Sequence, residues 1–153
     1  MKNNIVKNFG RPRLLIVGCG DVGMRLLPLV RDRFRVFAVT SQASRVVELR
    51  AAGAVPIVAD LDRNRSLARL AGLAPAIVHL APPQSSGTQD RRTRHLTAIL
   101  PSAHAILIYI STTGVYGNCN GALVEETHVV NPVSARAKRR LDAEQVLRAW
   151  ARR

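Results

Sequence analysis

Three glycines, at positions 18, 20 and 23, directly follow an apolar run and precede a stretch of helical pattern. In a strand–turn–helix unit, Gly18 allows the tight turn, Gly20 leaves room for a pyrophosphate, and Gly23 lets the helix pack closely on the sheet. The N–H groups and the dipole of that helix would favour an anion without any charged side chain. The spacing therefore predicts a dinucleotide-binding turn. Its predicted residues are Gly18, Cys19, Gly20, Asp21, Val22 and Gly23.

The residues that follow the second apolar run, 35–40, concern the ribose of such a cofactor. An NAD-preferring site usually places an acidic residue there for the 2′-hydroxyl, but this chain has Thr40 and Ser41, with Arg45 nearby. Hydroxyls and a guanidinium would hold a 2′-phosphate that a carboxylate would repel, so the sequence favours NADP over NAD. In the alternative interpretation, Ser41 or Ser44 only caps the next helix and Arg45 is solvated.

Asp60 and Leu61 follow the third apolar run, 55–59. Asp60 could reach the adenine side of the cofactor. It could equally cap a helix that begins near Asp62. The residues leave both interpretations open.

The alternation of apolar runs with helical patterns predicts the scaffold that positions these residues. Strands are predicted near 13–18, 35–40, 55–59, 76–81 and 104–110, and helices near 22–32, 43–52, 63–71, 88–99 and 134–150. The strands at 14–17 and 105–110 are apolar on both faces, which is typical of a parallel sheet covered by helices on each side. We therefore expect an α/β fold of the Rossmann type, a doubly wound parallel sheet with helices on both faces.

Length and composition agree with one globular domain, since the chain has 153 residues, of which 47% are hydrophobic and 22% charged. No apolar run approaches the ~20 residues of a membrane span, and residues 1–10 are too polar for a secretory signal. We therefore expect a cytoplasmic protein without a membrane partner. The formal charge of +13 would attract nucleic acid, but the arginines are scattered and aromatic residues make up only 4%. No specific nucleic-acid partner is expected.

The cysteines and histidines predict neither a disulfide nor a metal site. Cys19 and Cys119 lack metal-ligand spacing and are interpreted as free thiols. His79, in an apolar strand, is expected to be a hydrogen-bonded structural histidine, and Tyr109 in another strand is expected to be packed. Trp150 is expected to pack against the sheet or a missing partner.

Short motifs along the chain extend the glycine pattern. They are Gly18-Cys-Gly-Asp-Val-Gly23, Asp60-Leu61, His79-Leu80-Ala81-Pro82-Pro83, Ser111-Thr-Thr-Gly-Val-Tyr-Gly117, Glu125-Glu126-Thr127, Asn131-Pro132 and Asp142-Ala143-Glu144. With these motifs, residues 13–150 resemble the extended short-chain dehydrogenase/reductase family, also described as NAD-dependent epimerases/dehydratases. The similarity is greatest to an atypical branch related to nucleoside-diphosphate-sugar epimerases. The resemblance implies that Leu80, Ala81, Pro82 and Ser111 also border the cofactor.

In that family a Ser or Thr, a Tyr and a Lys four residues later carry out hydride-transfer chemistry at a carbonyl or alcohol. The matching hydroxyl here is Thr112, whereas Arg136 and Arg140 stand at the Tyr and Lys positions. An arginine cannot be a general base near neutral pH, because its pKa is above about 12. If Lys138 is aligned with the family lysine instead, Ser134 takes the tyrosine position and is a poor acid or base.

The resemblance therefore implies an NADP-dependent oxidoreductase or a relative of nucleotide-sugar epimerases, with a small molecule or nucleotide sugar as substrate and an unusual acid/base group. Arg136 and Arg140, four residues apart, would share a helix face that binds a phosphate or carboxylate or is solvated. The alternative function is a non-catalytic dinucleotide-binding or redox-sensing module.

The domain organisation expected from the resemblance is a tail over residues 1–12 and an NAD(P)-binding domain over 13–153. Members of the family continue into a substrate-binding domain, which is not recognisable here. Three interpretations remain open: a truncated gene product that is an inactive fragment, a deliberately shortened chain, and a minimal binding protein. An incomplete sheet would leave an exposed edge, which predicts association through that side, for example as a homodimer.

Overall fold

The computed structural model describes residues 10–153. Most of the tail predicted over residues 1–12 thus lies outside the described residues, and β1 begins at Arg13 as expected. The strands are β1 Arg13–Val17, β2 Arg35–Thr40, β3 Val55–Val58, β4 Ala76–His79 and β5 Ile106–Tyr109. The helices are α1 Asp21–Val30, α2 Val46–Ala51, α3 Asn64–Leu67, α4 Arg91–Ile99 and α5 Ala135–Ala151. Short 3₁₀ turns cover Ala43–Arg45, Ala68–Leu70 and Thr113–Tyr116.

The five strands form one parallel sheet in the order β3-β2-β1-β4-β5. Leu15 on β1 is level with Phe37 on β2 and Ile77 on β4. Because β2 and β4 lie on opposite sides of β1, the chain winds outward in two directions from the middle of the sheet. The predicted doubly wound Rossmann-type fold is confirmed.

Alternate residues of β1 supply two separate cores, since side chains of a strand point to opposite faces. Leu14 and Ile16 pack with the cluster that contains Leu27 of α1 and Leu49 of α2. Leu15 and Val17 pack on the other face with residues of α3, α4 and α5, which are Leu67, Leu96 and Trp150. The apolar strand at 14–17 is covered by helices on both sides, as expected. The same expectation is wrong for 105–110, because Ile106 and Ile108 of β5 are exposed on one face.

Three helices differ clearly from their predicted bounds. The helix expected over 43–52 divides into the 3₁₀ turn Ala43–Arg45 and α2. The helix expected over 63–71 divides into α3 and the 3₁₀ turn Ala68–Leu70. The helix expected from 88 begins at Arg91, because the Asp90 carboxylate accepts a hydrogen bond from the backbone N–H of Thr93 at 3.0 Å and caps it. The residues before Asp90 form a loop.

The exposed edge that the sequence predicted lies at β5. The side chains of Ile106, Ile108 and Ile110 are 69%, 54% and 49% exposed. Trp150, by contrast, is 3% exposed, and its indole Nε1 donates to the Leu100 carbonyl at 3.0 Å. Trp150 therefore packs within the chain. No helix in residues 10–153 combines the length and apolarity needed to cross a bilayer.

Replacing Trp150 by alanine should lower the free energy of unfolding by about 3 kcal/mol or more, because the substitution leaves a cavity between α4, α5 and the sheet. Urea unfolding followed by circular dichroism measures this effect. Leu29→Ala is the control, since Leu29 is 75% exposed and should change stability by less than about 0.5 kcal/mol. Equal effects of the two substitutions would contradict the assigned packing of α5.

Candidate functional site

A cleft lies at the carboxyl ends of β1, β2 and β4, at the point where the winding direction of the sheet reverses. Open α/β sheets bind their ligands at this position. Two adjoining cavities of about 190 and 390 Å³ form the cleft and share the lining residues Gly18, Val39, Ser41 and Pro82. The smaller cavity adds Asp60, Leu61, Ala81 and Arg92, and the larger adds Cys19, Gly20, Asp21, Val22, Thr40, Gln42, Arg45 and Leu80. Of the predicted cofactor-binding residues, only Gly23 and Ser111 do not line it.

The turn after β1 depends on glycine at two positions for steric reasons. Gly18 has a φ of +82°, and a Cβ built there would lie 2.6 Å from the backbone of Ala81. A Cβ on Gly23 would lie 2.8 Å from Cys19 Sγ and 3.5 Å from Ile16, so Gly23 allows α1 to approach the sheet. Gly20 has nothing within 4 Å of such a Cβ and faces open space. The expected roles of tight turn, open approach and close packing thus match the geometry.

The amino terminus of α1 opens into the cleft. Gly20 is its N-cap residue, and no side-chain hydrogen bond caps it. The first N–H groups of α1 are therefore available to an anion, and the helix dipole favours one there. The Asp21 carboxylate is 78% exposed and pairs with Arg25 at 3.1 Å.

Arg45 spans the gap between the glycine turn and α2. Its Nη1 donates to the Cys19 carbonyl at 2.5 Å, and its Nε and Nη2 donate to the Glu48 carboxylate at 2.9 and 3.1 Å. This ion pair holds the pKa of Glu48 below its ordinary value. The alternative interpretation is wrong on both points, because Arg45 is anchored and neither Ser41 nor Ser44 caps the turn or α2 by a side-chain hydrogen bond.

Thr40 and Ser41 lie at the end of β2. Thr40 is buried, and its hydroxyl accepts a hydrogen bond from the backbone N–H of Gln42 at 3.2 Å. Ser41 is exposed and lines both cavities. Ser41 and Arg45 both line the larger cavity, with Ser41 exposed and Arg45 partly exposed.

Asp60 shapes the turn after β3. Its Oδ1 accepts from the N–H of Asp62 at 2.9 Å, and the Ser66 hydroxyl bonds to its backbone N–H and carbonyl, each at 2.9 Å. The helix begins later, at Asn64, without a side-chain cap. Of the two open interpretations, capping of this helix by Asp60 is wrong. The position of Asp60 on the smaller cavity agrees with the adenine-side interpretation.

Arg92, which lines the smaller cavity, forms an ion pair that the sequence analysis missed. Arg92 on α4 donates to both carboxylate oxygens of Asp62, at 3.0 and 2.6 Å, and to the Pro82 carbonyl at 3.1 Å. Arg92 thereby lowers the pKa of the Asp62 carboxyl. Thirty positions separate the partners, so no local spacing could have identified the pair.

The expected catalytic hydroxyl, Thr112, and the expected cofactor-bordering Ser111 lie in the segment after β5, outside the lining of the two cavities. Thr112 caps the turn Thr113–Tyr116, its Oγ1 accepting from the Gly114 N–H at 3.2 Å. The neighbouring Ser111 donates to Glu144 of α5 at 2.5 Å. Both hydroxyls thus hold structure in this segment, and Thr112 remains partly accessible.

Arg136 and Arg140 do not form one solvated basic face. Arg136 is exposed, whereas Arg140 is only 8% exposed and donates to the Tyr109 hydroxyl at 2.9 Å and the Ile110 carbonyl at 3.0 Å. Its guanidinium carbon lies 5.5 Å from the Tyr109 ring centroid. Burial raises the pKa of Tyr109 despite the hydrogen bond from Arg140. Tyr109 is therefore packed as expected and is protonated at neutral pH.

His79, Thr93 and Asp90 form a buried polar cluster behind the cleft. The Thr93 hydroxyl donates to Asp90 at 2.9 Å and lies 2.9 Å from His79 Nε2. Because the hydroxyl proton is used for Asp90, His79 Nε2 must be the donor and Nδ1 is unprotonated. Burial, followed by the charge of Arg140, lowers the pKa of His79 to about 4. His79 is structural, as expected, and within residues 10–153 no group of three potential metal ligands occurs.

Comparison with known proteins finds similar solved structures. One is a functionally unknown conserved protein from Silicibacter pomeroyi, 27% identical with a TM-score of 0.72 over 90% of this chain and 48% of that one. A UDP-glucuronic acid 4-epimerase from Bacillus cereus in complex with a UDP-sugar analogue and NAD is 22% identical, with a TM-score of 0.74 over 92% and 52%. A short-chain dehydrogenase/reductase superfamily protein from Agrobacterium tumefaciens with bound NAD is 22% identical, with a TM-score of 0.73 over 90% and 44%.

The chain has the fold of these epimerase and dehydrogenase/reductase structures. The fold that the resemblance implies is thereby confirmed. The chain spans about half the length of the structures it matches. No family model matches the sequence, and no curated protein does.

Protonation of His79 should make stability depend on pH. Its pKa is about 4 in the folded chain and about 6.5 when unfolded, so the unfolded chain binds more protons between these values. The free energy of unfolding should therefore be highest above pH 6.5 and fall by roughly 3 kcal/mol as the pH is lowered to 4. Urea titrations at several pH values measure this.

His79→Gln should flatten that dependence, because glutamine keeps a donor for Thr93 and does not titrate. His104→Asn is the control, since His104 is exposed and asparagine tolerates its φ of 60°. A pH dependence that survives His79→Gln unchanged would assign the effect to other groups.

Proposed function

We propose that the chain binds a nicotinamide dinucleotide in the cleft. The observation that carries this proposal is the glycine turn, where Gly20 faces open space at the uncapped amino terminus of α1. Backbone N–H groups at a helix terminus suit a pyrophosphate. The NAD present in two of the similar solved structures supports the same ligand class.

Within this proposal, the two cavities divide the cofactor between them. The pyrophosphate lies against the backbone of residues 18–22 beside the larger cavity. The adenine side occupies the smaller cavity, between Asp60, Leu61 and Ala81. Leu80 and Pro82 border the middle of the cofactor.

The ribose end favours a 2′-phosphate over a 2′-hydroxyl. Ser41 is exposed at this edge, Arg45 supplies a guanidinium, and the end of β2 carries no carboxylate. These are the features that suit NADP, as the sequence predicts. We therefore propose that NADP binds more tightly than NAD.

The proposed reaction class is that of an NADP-dependent oxidoreductase or an epimerase-like enzyme acting on a small molecule or nucleotide sugar. A bound nicotinamide would supply hydride transfer. Thr112, at the carboxyl end of β5, would orient a substrate oxygen, and exposed Arg136 could bind an anionic substituent. An arginine side chain is not a general acid or base near neutral pH, so the proposed acid/base group is a residue other than Arg140.

A second candidate is a dinucleotide-binding module without catalysis. It is favoured by Arg140, which stands at the lysine position of the family and uses its Nη1 to bind Tyr109 and the Ile110 carbonyl. In this role residues 13–153 form one NAD(P)-binding domain. Cofactor occupancy would then be the functional event.

Cofactor binding is tested by titrating the protein with NADPH and NADH while recording nicotinamide fluorescence. The wild type should bind both, NADPH more tightly. Gly20→Asp should weaken both at least about tenfold, because a carboxylate then occupies the phosphate position. The variant should still fold, since a Cβ on Gly20 meets no atom within 4 Å.

Ser102→Asp is the matched control, because it adds the same charge in the loop before β5. This loop lies at the amino ends of the strands, whereas the cleft lies at their carboxyl ends. Wild-type affinity should persist in it. If Gly20→Asp binds as tightly as the wild type, the cofactor does not lie in this turn.

Catalysis is tested by incubating the NADPH complex with a panel of carbonyl compounds and nucleotide sugars. The enzyme proposal expects steady turnover with at least one compound, and Thr112→Val should lower kcat at least about tenfold. Thr113→Val is the control at the adjacent, exposed position. Cofactor binding without turnover on any compound would instead favour the binding module.

A further inference from the structure

Glu48 of α2 stands directly behind the guanidinium at the ribose end of the cleft. Its carboxylate accepts from Nε and Nη2 of Arg45, and its side chain is 51% exposed. Nε and Nη2 form the fork of an arginine that binds carboxylate or phosphate with two parallel hydrogen bonds. That fork is therefore already occupied by a carboxylate of the chain itself.

Arg45 has little freedom to turn its fork elsewhere. Its remaining terminal nitrogen, Nη1, donates to the Cys19 carbonyl inside the glycine turn. Its side chain is 22% exposed, and the residue lines the larger cavity together with Ser41 and Gln42. Arg45 is thus clamped between the turn and α2, with its charge balanced by Glu48.

We propose that Glu48 is a specificity-determining residue that limits the preference for NADP by occupying the fork of Arg45. This inference rests on the proposed dinucleotide site. A 2′-phosphate must displace the Glu48 carboxylate from Nε and Nη2 or accept a weaker contact with Arg45. A 2′-hydroxyl is neutral and does not require the fork. Glu48 therefore disfavours NADP selectively and allows the cleft to take both cofactors.

The test compares the ratio of NADPH to NADH affinity between variants. Glu48→Gln removes the negative charge, keeps nearly the same shape and retains one acceptor for Arg45. It should raise the ratio about fivefold, the size of effect that a partly exposed ion pair supports. NADH affinity should change much less. Thermal unfolding of each variant checks that it remains folded.

Asp32→Asn is the matched control, because it makes the same change of charge between α1 and β2, at the amino edge of the sheet. It should leave the ratio unchanged. In an Arg45→Gln background, Glu48→Gln should have no further effect on the ratio, because there is no fork left to release.

The outcomes separate this inference from the proposed function. If the wild type binds neither cofactor, the dinucleotide site is refuted and the role of Glu48 with it. If both cofactors bind and Glu48→Gln leaves the ratio unchanged, only the role of Glu48 is refuted. An effect that persists in the Arg45→Gln background, or that Asp32→Asn reproduces, would indicate general charge repulsion and would also overturn the inference.

Discussion

The carboxyl ends of β1 and β4 come into backbone contact at residue 18, and the cleft exists because of that contact. The N–H groups of Leu80 and Ala81 both donate to the Val17 carbonyl, and those of Gly18 and Cys19 both donate to the Val39 carbonyl. These four bonds continue the sheet beyond its strands and tie three strand ends together. A side chain at position 18 would force Ala81 away, which would open the floor of the site.

Two arginine side chains then hold the walls of the cleft in place, because each connects segments that are distant in the sequence. Arg45 connects the glycine turn to α2, and Arg92 connects the turn after β3 to α4 and to the segment after β4. Each arginine pairs with a carboxylate and also donates to a backbone carbonyl. Such fork geometry orients both partners, which a lysine could not do. The same contacts that shape the site therefore also limit which of its charges are available to a ligand.

The sequence predicts those features that depend on neighbouring residues. Gly18, Gly20 and Gly23 could be interpreted correctly because a turn and its helix follow from local spacing. The doubly wound parallel sheet was predicted from the alternating βα units. The pair of Arg45 and Glu48 has helical i, i+3 spacing and was readable but overlooked.

Other features were beyond local spacing. Arg140 was expected on a helix surface, yet tertiary packing buries it against Tyr109, thirty-one positions earlier. The contact of Asp90 with His79, through Thr93, likewise depends on how α4 docks on β4. The burial of Arg140 and the contact between Asp90 and His79 could therefore be identified only from the folded structure.

Part of the arginine surplus behind the charge of +13 has a structural role. Guanidinium groups donate to backbone carbonyls at both edges of the sheet, from Arg11, Arg13, Arg31, Arg45, Arg92, Arg139 and Arg140. Each of these hydrogen bonds satisfies a loop carbonyl that has no partner in a strand. Because the arginines are spread over the molecule, their positive charges are kept apart. A nucleic-acid surface would require the opposite arrangement, in which cations cluster along one face to follow a phosphate backbone. The distribution of these arginines therefore supports a role in holding the connections of the fold over one in binding a polyanion.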